Sequence, residues 1–156
     1  GERYDYSGMG TTIVAAYMEE EAILHIAHVG DSRAYIIRND EIRQITLDHS
    51  WVNEQIQKRD LTQQDARNHR WKNVITRALG NKLNVDIDLA SLKMQNGDYI
   101  IVCTDGLTSM LDDSEVLKTI KDVDGRLDNA CKNLIKAANE KGGLDNITVI
   151  LLKFKE

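Results

Sequence analysis

The sequence contains no proline at all, an absence for which we have no physical account. Its other shortages are more informative. There is no cluster of Lys and Arg: 20 basic against 25 acidic residues give a formal net charge of -5. That balance argues against a nucleic-acid partner, because phosphate backbones are bound mainly through grouped cations. There is no long apolar run either. The longest, Tyr99 to Cys103 and Ile147 to Leu152, are strand-sized and fall short of a bilayer-spanning helix, so no membrane partner is expected. No signal-peptide pattern is visible in the residues given, and a soluble chain is expected. Cysteine is scarce, with Cys103 in an apolar strand pattern and Cys131 in a helical one. Two buried free thiols are expected rather than a disulfide, which fits a reducing, cytoplasmic setting. Repeats, linkers and low-complexity tracts are missing as well. At 156 residues, 42% hydrophobic and 29% charged, the composition is that of one folded domain and far from a disordered chain.

What is present reads first as strands. β-branched and apolar residues dominate Thr11 to Met18 and Ala22 to Val29, joined by the acidic Glu19-Glu20-Glu21 as an exposed turn. A second pair, Ala34 to Arg38 and Glu41 to Ile45, is joined by Asn39-Asp40, which tolerate the angles of a tight turn. Four consecutive strands predict one antiparallel sheet. From Ser50 to Lys72 the pattern turns mixed and polar, and Thr62 followed by Asp65 predicts a reciprocally capped helix start within one or two short surface helices. Strands return at Val85 to Leu92 and Tyr99 to Cys103, around the turn Gln95-Asn96-Gly97-Asp98. Asp112 with Glu115 predicts a capped helix to about Lys121, and Leu127, Ala130, Leu134, Ala137 and Ala138 recur at helical spacing. Two helices packed on one sheet face, then a closing strand over Ile147 to Phe154, predict an α+β layered domain.

Three aspartates fall where strands end: Asp31 in Val29-Gly30-Asp31-Ser32-Arg33, Asp105 in Cys103-Thr104-Asp105-Gly106, and Asp145 in Leu144-Asp145-Asn146. Carboxylates at strand ends, with glycine beside them for close approach, suit Mg²⁺ or Mn²⁺, which want oxygen ligands. Taken singly, an Asp next to Gly or Ser more commonly caps a turn or helix through its own side chain, and spacing alone does not decide between the two.

An ordered set of seven segments adds a resemblance. They are Gly8-Met9-Gly10-Thr11-Thr12; Val29-Gly30-Asp31-Ser32-Arg33-Ala34-Tyr35; Ile45-Thr46-Leu47-Asp48-His49-Ser50; Val74-Ile75-Thr76-Arg77-Ala78-Leu79-Gly80; Asn96-Gly97-Asp98; Cys103-Thr104-Asp105-Gly106-Leu107; and Asp145-Asn146-Ile147-Thr148-Val149-Ile150. In that order, along nearly the whole chain, they resemble the bacterial metal-dependent serine/threonine protein phosphatases of the 2C type. The resemblance implies a four-layer α-β-β-α sandwich of two antiparallel sheets flanked by helices. Residues 1–156 would form one phosphatase 2C-type catalytic domain truncated at its N-terminus, with residues 50–72 as a flap that affects substrate choice. It also implies metal-dependent hydrolysis of phosphoserine and phosphothreonine in proteins, by attack of water between two cations and without a covalent phosphoenzyme. Asp105 and Asp145 would be ligands of a dinuclear Mn²⁺ or Mg²⁺ centre and Asp31 would reach a third ion. Partners would be phosphorylated proteins, substrates of a serine/threonine kinase.

Gly106, Asn146, Arg33, Thr76 and His49 are candidate supporting residues. Asn146 would orient its turn. Arg33 and Arg77 could bind phosphate, but arginines in such motifs more often pair with buried carboxylates. His49 could shuttle protons or serve as a hydrogen-bonded structural residue. Gly8-Met9-Gly10 has no following lysine and is not a phosphate loop. Trp51 and Trp71 flank the flap and would anchor it.

Members of the family begin with a further segment carrying an early acidic motif, a phosphate-binding arginine and an Asp-Gly-Met-Gly-Gly type run. The nearest lookalike here, Tyr6-Ser7-Gly8-Met9-Gly10, has no aspartate at the needed place, and the first residue is Gly1. The aspartate of that run bridges both metals, so these residues by themselves are expected to be inactive. Sheet edges and apolar surface left open are expected to recruit a second copy or a missing N-terminal fragment. Two other readings stay open: a pseudophosphatase or regulatory module that binds without catalysis, and an unrelated β-sandwich that reads phosphothreonine. Three strand-end aspartates count against the latter, since phosphate readers use basic groups.

Overall fold

The computed structural model describes residues 8–123 and 126–156. Gly1, Tyr6 and Ser7 lie outside the described residues. The first hairpin is β1 (Ile13–Glu19) and β2 (Ile23–Val29), joined by a 3-10 turn over Glu20–Ala22. The second is β3 (Arg33–Arg38) and β4 (Glu41–Gln44), whose two-residue link puts both Asn39 (φ 50) and Asp40 (φ 66) in the left-handed region, as a mirror-image hairpin turn requires. Two short helices follow, α1 (Trp51–Gln57) and α2 (Gln63–Asn68), then β5 (Asp88–Lys93) and β6 (Tyr99–Cys103). The chain ends with α3 (Asp105–Thr108), α4 (Asp113–Lys121), α5 (Leu127–Glu140) and β7 (Val149–Lys153). Both capping boxes read from the sequence are present, Thr62 with Asp65 and Asp112 with Glu115. The four-residue α3 was not anticipated.

The four leading strands do not form one sheet. β1, β2 and β5 make a three-stranded antiparallel sheet, while β4, β3, β6 and β7, in that order, make a four-stranded one. The switch happens at Gly30 (φ +110), where a Cβ would sit 2.3 Å from the Thr12 side chain, so only glycine fits this bend. The physical reason for the split is that β3 is apolar on both faces and needs two covers, which a one-sided sheet does not offer.

Ala34, Ile36 and Ile100 meet Leu24, Ile26 and Met94 between the sheets. On the other face, Tyr35, Ile37, Ile101 and Leu151 are covered by Val116 and Ile120 of α4 and by Ala130, Leu134 and Ala138 of α5. Each fully buried Leu or Ile contributes about 2 kcal/mol. The result is two antiparallel sheets flanked by helices, an α+β architecture. Both thiols are free: burial pushes Cys103 up to about 12, whereas Cys131 is only half-buried.

Candidate metal centre

The strand register places all three aspartates at one edge. Arg33 is paired with Cys103, and Cys103 with Val149, so the start of β3, the end of β6 and the start of β7 lie side by side. Asp31 lies two residues before that start of β3, Asp105 two residues after the end of β6, and Asp145 four residues before β7. The last two loops are locked together. Thr104 donates its backbone N–H to the Thr148 carbonyl at 3.1 Å and its hydroxyl to the Asn146 carbonyl at 3.2 Å, while its Oγ1 accepts from Thr148 N–H at 3.0 Å. A Cβ on Gly106 would lie 2.4 Å from the Asn146 carbonyl oxygen, so this close approach of the Asp105 and Asp145 loops requires glycine.

The electrostatics of the edge are those of uncompensated like charges. Burial, then the neighbouring Asp105 carboxylate, raises the Asp31 pKa from 3.8 to about 6. Burial and Asp145 likewise push Asp105 above the ordinary carboxylate range. Arg33 is the nearby cation, but it is already committed. It holds Asp48 through Nε at 2.9 Å and Nη2 at 2.7 Å, and donates from Nη1 to the Tyr35 hydroxyl at 2.9 Å. Gln44 Nε2 secures the same Asp48 at 2.8 Å. Carboxylates that press on one another in this way, Asp105 on Asp31 and Asp145 on Asp105, are hard oxygen donors that fit a divalent cation of the Mg²⁺ or Mn²⁺ kind.

The supporting candidates divide into two groups. Gly106 and Asn146 belong to the edge itself, Asn146 through its backbone N–H, which donates to Asp145 Oδ1 at 2.7 Å. Arg33 is the arm of a carboxylate pair. His49 is bonded to Gly30, the residue before Asp31, and Thr76 N–H donates to the His49 carbonyl at 2.8 Å. Among the described residues, Thr76 Oγ1 and His49 Nε2 are buried without a hydrogen-bond partner of good geometry.

Sequence reasoning missed two members of this second group. His28 stacks on His49 with ring centroids 4.6 Å apart, and Asp88 faces His49 Nε2 at 3.2 Å while accepting from Arg77 Nη1 at 2.7 Å. Ligand atoms of His28, His49 and Asp88 lie within 4.8 Å of one another, a spacing that could hold a metal. The hydrogen bonding argues otherwise. His49 Nδ1 accepts from Gly30 N–H at 3.0 Å, and burial lowers the pKa of the ring and keeps it neutral. The one ring proton therefore sits on Nε2, directed towards Asp88, and leaves no lone pair there for an ion.

The flap candidate closes on itself. Trp51 N–H donates to the Val74 carbonyl at 2.8 Å, the Trp51 and Trp71 rings meet edge-on at 4.6 Å, and His69 stacks on Trp51 at 4.8 Å. No helix among the described residues is long and apolar enough to cross a membrane.

Comparison with known proteins decides the family. The protein phosphatase 2C model matches residues 3–147. The chain belongs to the protein phosphatase 2C family. It is 42% identical over 149 residues to the serine/threonine phosphatase stp of Listeria innocua, covering 96% of this chain and 58% of that protein. It is 41% identical to the protein phosphatase PhpP of Streptococcus pneumoniae, over all of this chain and 63% of that one. Among solved structures, the S. agalactiae serine/threonine phosphatase superposes with a TM-score of 0.91 at 42% identity, over all of this chain and 63% of its own. The catalytic domain of the serine/threonine protein phosphatase PstP, solved in complex with 2 manganese ions, superposes at 0.84 and 30% identity, over 96% of this chain and 61% of its own. This phosphatase 2C chain thus spans 58–63% of the length of these four relatives.

Proposed function

We propose that these residues form the C-terminal part of one catalytic domain that hydrolyses phosphoserine and phosphothreonine in proteins with the help of Mn²⁺ or Mg²⁺. The observation that carries the reading is the meeting of the Asp105 and Asp145 loops through Gly106, which sets two carboxylates close enough to raise the Asp105 pKa while the nearby Arg33 is held by Asp48. Asp105 and Asp145 would hold two ions and Asp31 a third. When bound, such cations lower the pKa of water and offset the negative charge that builds on phosphoryl oxygens. The chain's own residues then have distinct tasks. Asp31, Asp105 and Asp145 set the positions of positive charge, and the Arg33–Asp48 pair braces the start of β3 beside Asp31. Residues 50–72 act as a flap over substrate. The setting is cytoplasmic, with substrates supplied by a serine/threonine kinase.

Taken by themselves, the 156 residues hold part of the clamp, and little or no turnover is expected from them. The test follows Mn²⁺-dependent phosphopeptide hydrolysis by these residues alone and after they are prefixed with the N-terminal part of the Listeria relative. Activity should appear in the prefixed chain and fall by about a hundredfold or more in Asp105→Ala and in Asp145→Ala, the scale of losing a charge stabiliser. Robust turnover by the 156 residues, or unchanged activity in both variants, would sink the proposal. Phosphopeptide binding without turnover in the prefixed chain would favour a regulatory binding module instead.

A further inference from the structure

His49 and Gly30 are bound to one another twice. The His49 backbone N–H donates to the Gly30 carbonyl at 2.9 Å, and the Gly30 N–H donates to His49 Nδ1 at 3.0 Å. One residue therefore satisfies both backbone groups of the glycine that immediately precedes Asp31. The His49 side chain is 2% exposed and cannot exchange these partners for water. On its far side Nε2 faces Asp88 Oδ2 at 3.2 Å, a charge contact without good hydrogen-bond alignment, and Arg77 grips Asp88 Oδ1 at 2.7 Å. His28 stacks on the ring face and is itself tied by Nε2 to the Leu47 carbonyl at 2.9 Å.

We propose that His49 is a positioning residue for Asp31, and that the line Arg77–Asp88–His49–Gly30 sets the direction of the Asp31 carboxylate and hence its hold on a divalent cation. An uncapped Gly30 N–H, buried beside a φ of +110, would leave the Val29–Gly30 peptide free to rotate, and the bend at Gly30 would carry that change into Asp31. The inference rests on the reading of Asp31 as a cation ligand and adds a second layer to it.

Asn and Gln substitutions separate the two halves of the ring. Asn places its oxygen where Nδ1 sits and keeps an acceptor for Gly30, whereas Gln places its nitrogen near Nε2 and loses that acceptor. In the full natural protein that carries this chain, ¹⁵N-labelled, Mg²⁺ is titrated while chemical-shift changes are followed separately at the Asp31, Asp105 and Asp145 amides. His49→Gln should weaken Mg²⁺ at Asp31 by about tenfold, the lower end for an outer-layer partner, and leave Asp105 and Asp145 within about twofold. His49→Asn should stay within about threefold of the parent at Asp31. Asp88→Ala, a change at a half-exposed residue, should weaken Asp31 alone by about threefold and serves if the His49 variants do not fold. No shift change at Asp31 on adding Mg²⁺ to the parent would remove the ligand reading and this inference with it. A parent response that His49→Gln and Asp88→Ala leave unchanged, or that falls equally at all three aspartates, would overturn the positioning role alone.

Discussion

The outer faces of the two sheets carry similar residues and meet different fates. On the four-stranded sheet, Tyr35, Ile37, Ile101 and Leu151 are roofed by α4 and α5, both of which come from the single connection between β6 and β7. On the three-stranded sheet, Ile13, Tyr17 and Leu89 stand 45%, 67% and 78% exposed. The β1–β2 connection is only a three-residue turn and brings no helix with it. A sheet is roofed when its own connections contain the roof. Otherwise its apolar residues stay open to solvent in these 156 residues, as Ile13, Tyr17 and Leu89 do. The stability of these residues should therefore be concentrated in the roofed half.

The sharpest test of that contrast is a pair of like substitutions. Leu134→Ala, in the roof at 0% exposure, should cost about 3 kcal/mol in urea unfolding, the usual price of a buried cavity. A loss below about 1 kcal/mol would break the comparison. An intermediate effect is expected at the crossing between the sheets. The folded pKa of Asp31, about 6, lies above its ordinary 3.8. Its contribution to stability is therefore fully present below pH 3.8 and is lost as pH rises through about 6. With metal chelated, Asp31→Asn should melt roughly 2–4 °C above the parent near pH 7.5, the size left after solvent screening of a half-exposed group. The two melts should converge near pH 3.5. A constant difference across that range would show that Asp31 carries no such strain. The smallest effect belongs to the open face: Leu89→Ala should change stability by less than about 0.5 kcal/mol. A larger cost in a longer form of the protein would show that its additional chain covers this face.

Much of the fold was legible because its signals are local. Asn39-Asp40 demanded left-handed angles, Thr62 with Asp65 and Asp112 with Glu115 spelled out helix starts, and Ala130, Leu134 and Ala138 recur along one face of α5. The division of the first four strands between two sheets was not legible. Alternation tells which residues share a face of a strand but not which sheet that strand joins, and β3, buried on both sides, gave no parity to read. The candidate site shows the same limit. Asp31, Asp105 and Asp145 stood out as strand-end carboxylates beside glycine or a turn. Asp88 looked like one residue of an ordinary strand, because its partner His28 lies sixty residues away and meets it only through the register of β2 with β5.

By itself, the amino-acid order determined the kinds of element, their capping and turning residues, and the acidic groups able to hold a hard cation, because each depends on neighbours a few positions apart. Tertiary structure alone decided which carboxylates stand at a common edge and that Arg33 is spent on Asp48. It also decided that a buried histidine carries its ring proton on the side facing Asp88. Those outcomes depend on strand pairing across long separations, and the charge state of a buried group follows from what surrounds it in space.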